Sequence, residues 1–295
     1  MKRSIVQHGS SSLTVTLPVK WVNKYRLKKG DELECDENGS TITFSCGKAK
    51  GTLKKSFSTR DWGIFTKHNI SHLYHLGYDE IELHYEDLST LTEIKERLPN
   101  LMGFEIIDQR KNLVIIKSIA AELEGEFDTL LRKSFQVTNE MATLILDAAK
   151  TGKTKDLNEV TNLEAMNNKF TDICVRILNK QGYSVQHRTL ATYDFVLNLE
   201  RIADEMKRLA SQIKGKVPSD VYRDIQATFG YYQLLYTIFY KEDLSVKKRL
   251  YTEKQALLDK FITSMRKGQP IIYHHLVNIV QKTFEAFGAY AAMRL

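Results

Sequence analysis

Leu13, Val15 and Leu17 alternate with Thr14 and Thr16, the period-two rhythm of a strand with one apolar face. They lie in GSSSLTVTLPVKWV, residues 9–22, close to the start of the chain. A polar turn at 9–12 separates this strand (13–17) from a shorter one at 4–7. Pro18 suits the first position of a helix, because it has no N–H to leave unpaired there, and residues 19–25 supply one or two turns. Lys29-Gly30-Asp31 has turn chemistry, and Leu33 and Cys35 alternate with acids. Asn38-Gly39 marks a hairpin, since both residues tolerate positive φ, and 41–44 closes it. Four short strands bury little surface, so the unit over residues 1–50 reads as an intertwined dimer.

The rhythm changes over residues 51–117. A helix is predicted at 62–76, stopped by Gly77, and another at 88–98, stopped by Pro99. Strands are predicted at 80–85, 104–107 and 113–117, with a further one near 52–57. This is a small α+β unit of the kind that senses or dimerises. From 118 to 295 the pattern is entirely helical. Phe127, Leu130, Leu131, Phe135, Met141, Ile145 and Leu146 share one helical stripe. Further helices follow near 157–178, 190–213, 219–240, 244–266 and 271–294, punctuated by Gly152, Gly182, Gly215–Pro218 and Gly268–Pro270. Six long helices suggest a duplicated three-helix unit. The expected fold class is therefore multidomain α+β, with boundaries at 1–50, 51–117 and 118–295.

Charge sharpens the picture of the first segment. The net charge is +7, and residues 1–60 alone hold 12 Lys and Arg against 5 Asp and Glu; the remaining residues hold 31 of each. A basic head on a neutral body points to a polyanionic partner for the head. No apolar run approaches the length of a membrane span, and no signal-peptide core follows the N-terminus. Three cysteines without CxxC spacing fit free thiols in a reducing compartment. A cytoplasmic location follows as the expectation.

The segment GSSSLTVTLPVKWVNKYRLKKGDELECDENGSTITF resembles the swapped-hairpin DNA-binding domain of the SpoVT/AbrB and MazE type. The order of LP, KGD and NG carries the likeness. The resemblance implies a homodimer whose basic face grips DNA. Carried over by position, Lys2, Arg3, His8, Lys20, Lys24 and Arg26 are the candidate cations, with Lys28 and Lys29 at the turn. Ser10, Ser11 and Thr14 are candidates for hydrogen bonds to phosphates or base edges.

The helical region resembles PhoU, the phosphate-signalling regulator, in its archaeal versions. NLERIADEMKRLA (198–210) matches that family's acidic helix, and LEAMNNKFTDICVRILN resembles the helix facing it. The family places acids four apart to ligate a divalent or iron-type metal. Here the resemblance puts Glu200 and Asp204 in those roles, with Glu164 opposite and Asn168 in place of the family's next acid. Spacing of i, i+4 sets two carboxylates on one helix face. TFEAFGAYAAMR (283–294) aligns with the motif in the second half, keeping Glu285 but carrying Ala289 at the Asp position. The competing reading is an acid pair braced by Arg201 and Lys207.

Other constellations carry less. His68, His72 and His75 share a predicted helix face, but no carboxylate stands at a metalloenzyme offset. FGYYQLLYTIFY (229–240) reads as bundle core or dimer interface before any ligand cage. No phosphate-cradling loop, GxSxG or HExxH is present, so no enzyme activity is expected. The two resemblances occur together in archaeal proteins and imply a DNA-binding transcriptional regulator of phosphate or other inorganic-ion uptake. The alternative is a protein-interaction regulator, docking on a phosphate transporter ATPase or sensor kinase, with a head that only dimerises.

Overall fold

The computed structural model describes residues 2–38, 40–45, 52–62, 65–119, 123 and 125–295. It is a mixed α+β protein that divides into two compact units, Met1–Thr52 and Leu53–Leu295.

In the first unit, β1 (Val6–His8) pairs antiparallel with β2 (Ser12–Thr14), in the register Val6↔Thr14 and His8↔Ser12. Gly9 turns the chain at φ 70°, a left-handed conformation that favours glycine. The strands are shorter than the alternation predicts. Residues 15–17 keep the pattern but pair with no strand among the described residues. Pro18 stands just before helix α1 (Val19–Tyr25) rather than inside it, its carbonyl accepting from Trp21 and Val22. The next turn is tied at 2.7 Å by the Lys28 amide donating to the Asp31 carboxylate. β3 (Glu34–Asn38) and β4 (Thr41–Ser45) then form the predicted hairpin, with Asn38 opposite Thr41; Gly39 of its turn lies outside the described residues. No described residue of this unit is buried. Ile5, Leu13 and Val19 are 69%, 71% and 68% exposed.

The second unit opens with a four-stranded sheet in the order β5-β6-β8-β7. Its strands are β5 (Lys54–Ser58), β6 (Glu80–His84), β7 (Phe104–Arg110) and β8 (Leu113–Ser118). Parallel β5 and β6 need a crossover, and helix α2 (Lys67–His75) lies in it; α3 (Leu88–Arg97) follows β6. Helix α2 starts later than the expected 62, because Thr66 caps it: its hydroxyl accepts from the His68 amide while the Asn69 side chain accepts from the Thr66 amide. Ile81 and Leu83 on β6 and Val114 and Ile116 on β8 share one face of the sheet, buried in one core with Ile70, Leu73, Leu91 and Ile94 of the helices.

Six helices complete the unit: α4 (Phe127–Thr151), α5 (Leu157–Gln181), α6 (Thr189–Gln212), α7 (Ser219–Tyr240), α8 (Leu244–Met265) and α9 (Pro270–Arg294). α5 packs on α4 and α6, α8 packs on α7 and α9, and α6 lies along α9. Gly152 ends α4 at φ 81°, and a side chain there would stand 2.9 Å from the Lys216 amide nitrogen. The aromatic segment of α7 is core. Tyr231 and Tyr232 are buried, and Tyr236, Phe239 and Tyr240 surround Phe135 of α4. The α+β segment and the helices, expected as 51–117 and 118–295, lie within one unit, and side chains of α5 tie them together. Among the described residues, no helix is long and apolar enough to cross a membrane.

Candidate functional site

All the residues proposed for DNA contact are exposed: Lys2, Arg3, His8, Ser10, Ser11, Thr14, Lys20, Lys24 and Arg26. His8 ends β1, and Ser10 and Ser11 form the turn beyond it. The Thr14 hydroxyl donates to the Val6 carbonyl at 3.2 Å, which fixes the β1–β2 hairpin and leaves its oxygen lone pairs free to accept. Lys20 and Lys24 are four apart on α1, so both ammonium groups project from one helix face. Lys24 also lies 5.2 Å from the centre of the Tyr25 ring. Arg26 closes α1 in the left-handed conformation, φ 53°. Flexible cations on an exposed surface can neutralise phosphates without large desolvation cost.

The acidic constellation assembles between α5 and α6. Glu164 is 5% exposed, although a carboxylate is rarely so buried without a partner. Lys207 Nζ lies 2.6 Å from its Oε1, and the Asn168 amide donates to it at 2.8 Å. Arg208 donates to Asp204 at 3.2 Å and to Glu205 at 2.5 Å. Burial raises the Asp204 carboxyl above its ordinary range, and the neighbouring Glu164 carboxyl adds to the effect. Burial also pushes Glu200 up to about 7, helped by the negative charges of Asp172 and Asp204. Burial alone would raise Glu205 too, but hydrogen bonds from His275, Asn278 and Arg208 outweigh it and hold that carboxyl low. Lys207 pairs with Glu164 and Arg208 with Asp204 and Glu205, while the expected Arg201 acts on Glu200 only through its charge.

Sequence reasoning missed Asp172, which is 4% exposed. His75 Nε2 contacts one of its oxygens at 2.7 Å and Arg97 donates to the other at 2.9 Å. The histidine singled out for its helical spacing is therefore a partner of a carboxylate on α5, while His68 and His72 are exposed. One turn further, the buried Arg176 guanidinium donates to the Tyr74 and Tyr78 carbonyls and to Asp79. Lys180 reaches the same Asp79 at 2.8 Å. Glu164, Asn168, Asp172, Arg176 and Lys180 recur every four residues on α5, and this periodicity was the available clue. The row runs from the α6 acids at one end to the C-terminal end of α2 and the start of β6 at the other.

Glu285 has a different setting. It is exposed on α9 and pairs at 2.7 Å with Lys282 of its own helix, and Ala289 is buried one turn on. Among the described residues, no group of three or more His, Cys, Asp or Glu side chains is placed to hold a metal ion. Lys207 and Arg208 already neutralise Glu164 and Asp204, so a metal ion would have to displace Lys207 from its 2.6 Å contact. In this arrangement the residues do not fit a metal centre.

The chain matches no family model, no curated protein and no solved structure.

Proposed function

We propose that the chain is a DNA-binding transcriptional regulator of phosphate or another inorganic-ion uptake. It acts as a homodimer through its first unit and senses through its helical region. The finer architecture belongs to the same reading: a SpoVT/AbrB-type swapped hairpin in front and a PhoU-like pair of three-helix repeats behind. One observation carries it. The first unit, Met1–Thr52, holds nine Lys and Arg against five Asp and Glu, +4 of the chain's +7, and every cation named for contact is exposed. Homodimerisation draws support from the apolar side chains that this unit leaves uncovered in a single chain. The signal enters through a small ligand or a protein partner at the helices rather than through a catalytic site.

Binding of duplex DNA, measured against salt, tests the reading. In the Lys2→Ala/Arg3→Ala/Lys20→Ala variant the slope of log K against log salt should become shallower by about 0.9 for each phosphate that is no longer neutralised. An unchanged affinity and slope would sink the proposed surface. A second reading gives the head dimerisation alone and puts the function on the helical region, docked to a transporter ATPase or sensor kinase. The uncovered Ile5, Leu13 and Val19 favour it as much as they favour a DNA-binding dimer. A protein that dimerises but fails to bind DNA at about 50 mM salt, where phosphate contacts are strongest, would decide for this second reading.

A further inference from the structure

Helix α8 breaks the electroneutrality of the body. Residues 244–267 hold seven Lys and Arg against two Asp and Glu, although 61–295 as a whole are balanced. The helix packs on α7 and α9 through Val246, Leu250, Leu258 and Phe261, which leaves most of its circumference to solvent. On the open side the spacing is ordered. Leu244, Tyr251 and Ile262, seven and eleven residues apart, lie on one face of the helix as an apolar seam, with Lys248 and Gln255 between them. Leu244, Tyr251 and Ile262 are 78%, 61% and 47% exposed. Tyr251 is held in place by edge contacts with Phe284 and Phe287 of α9, which makes it a rigid anchor. Around the seam, Lys248, Arg266 and Lys267 are exposed and form no ion pair among the described residues. Over 22 residues this surface runs about 33 Å.

We propose that this face of α8 docks an acidic amphipathic helix of a partner protein. The charge decides the sign of the partner and rules out a second copy of α8, which would bring like charges together. The seam decides its shape. A duplex has no use for exposed Leu244 and Ile262, and a bilayer would have to take Gln255 and Asp259, hydrogen-bonded to each other at 2.8 Å, into its interface. An amphipathic helix laid along this stripe covers Leu244, Tyr251 and Ile262, and its flanking carboxylates meet Lys248, Arg266 and Lys267. The inference uses no residue of the first unit and stands independently of DNA binding.

The test uses the full-length protein and a fluorescent synthetic peptide of four heptads, with Leu at a and d and Glu at e and g. The peptide should bind at low salt, and Lys248→Glu/Arg266→Glu should weaken it by about tenfold, equivalent to about 1.4 kcal/mol. The matching peptide with Lys in place of Glu should prefer the charge-reversed protein. Tyr251→Ala should weaken the acidic peptide with the charges intact. All three substituted residues are exposed, so an unchanged circular dichroism spectrum is expected for each variant. The proposal fails if the acidic peptide does not bind at about 1 mM, or binds the charge-reversed protein equally well. It also fails if the charge reversal abolishes binding to duplex DNA or to phosphatidylglycerol vesicles while sparing the peptide.

Discussion

Glu200 is a carboxylate whose surroundings favour the proton. Burial between α5 and α6, with Asp172 and Asp204 beside it, raises it to about 7 in the folded chain, against about 4.3 for an exposed Glu. The sign of the consequence follows from proton linkage. The stabilising contribution of the protonated form is complete below the unfolded value and disappears as pH rises through the folded one. Glu200→Gln, which stays neutral, should therefore be more stable than the parent at pH 8 by about 1–3 kcal/mol, with the advantage shrinking towards pH 5. Urea unfolding at the two pH values in the presence of a chelator measures it. An equal difference at both would mean that Glu200 titrates as an ordinary surface acid. Arg176 illustrates the opposite solution for a buried charge: 2% exposed, it is satisfied by two carbonyls and a carboxylate, and by two aromatic rings beside it.

At the scale of elements, α4 and α5 are joined where the chain has no room for a side chain. Gly152→Ala forces a Cβ into a left-handed residue and against the Lys216 backbone, and should cost about 1–3 kcal/mol. Gly230→Ala, on an exposed position of α7 facing open space, should instead stabilise by about 0.5–1 kcal/mol. Thermal melting of the two variants gives opposite shifts if helix ends and interiors are as described; two shifts of the same sign would contradict it. The elements themselves were largely legible. Apolar periodicity and punctuating Gly and Pro placed α7 at its observed bounds and α5, α6, α8 and α9 within a few residues. The strands were also legible, β6 because Ile81 and Leu83 alternate with polar residues and β8 as a short apolar run. By spacing alone the site was legible only within one helix, and the resemblance added Glu164 of α5 beside Asp204. Glu200 and Asp204 are neighbours by spacing, but the approach of His75 and Arg97 to Asp172 joins residues 97 and 75 positions apart, and no local pattern encodes that.

At the scale of the whole molecule, the two units differ in how they meet their stability requirement. The second has a continuous core of buried side chains, whereas the first has no buried residue among those described. A unit without a core gains stability by association, so its melting should depend on concentration. Calorimetry should resolve two transitions, the smaller rising in temperature as protein concentration increases and the larger staying fixed. A single transition independent of concentration would show that the first unit is stable alone. Within the second unit, the row of polar residues on α5 has a consequence for variation. Glu164 meets Lys207 of α6 at one end, and Asp172, Arg176 and Lys180 meet α2, α3 and the Tyr78–Asp79 turn at the other, so the helix acts as a gauge between two fixed stops. One residue inserted between Asn168 and Asp172 would turn the far end by about 100° and carry Asp172, Arg176 and Lys180 away from all their partners together. α5 can change its letters but not its count.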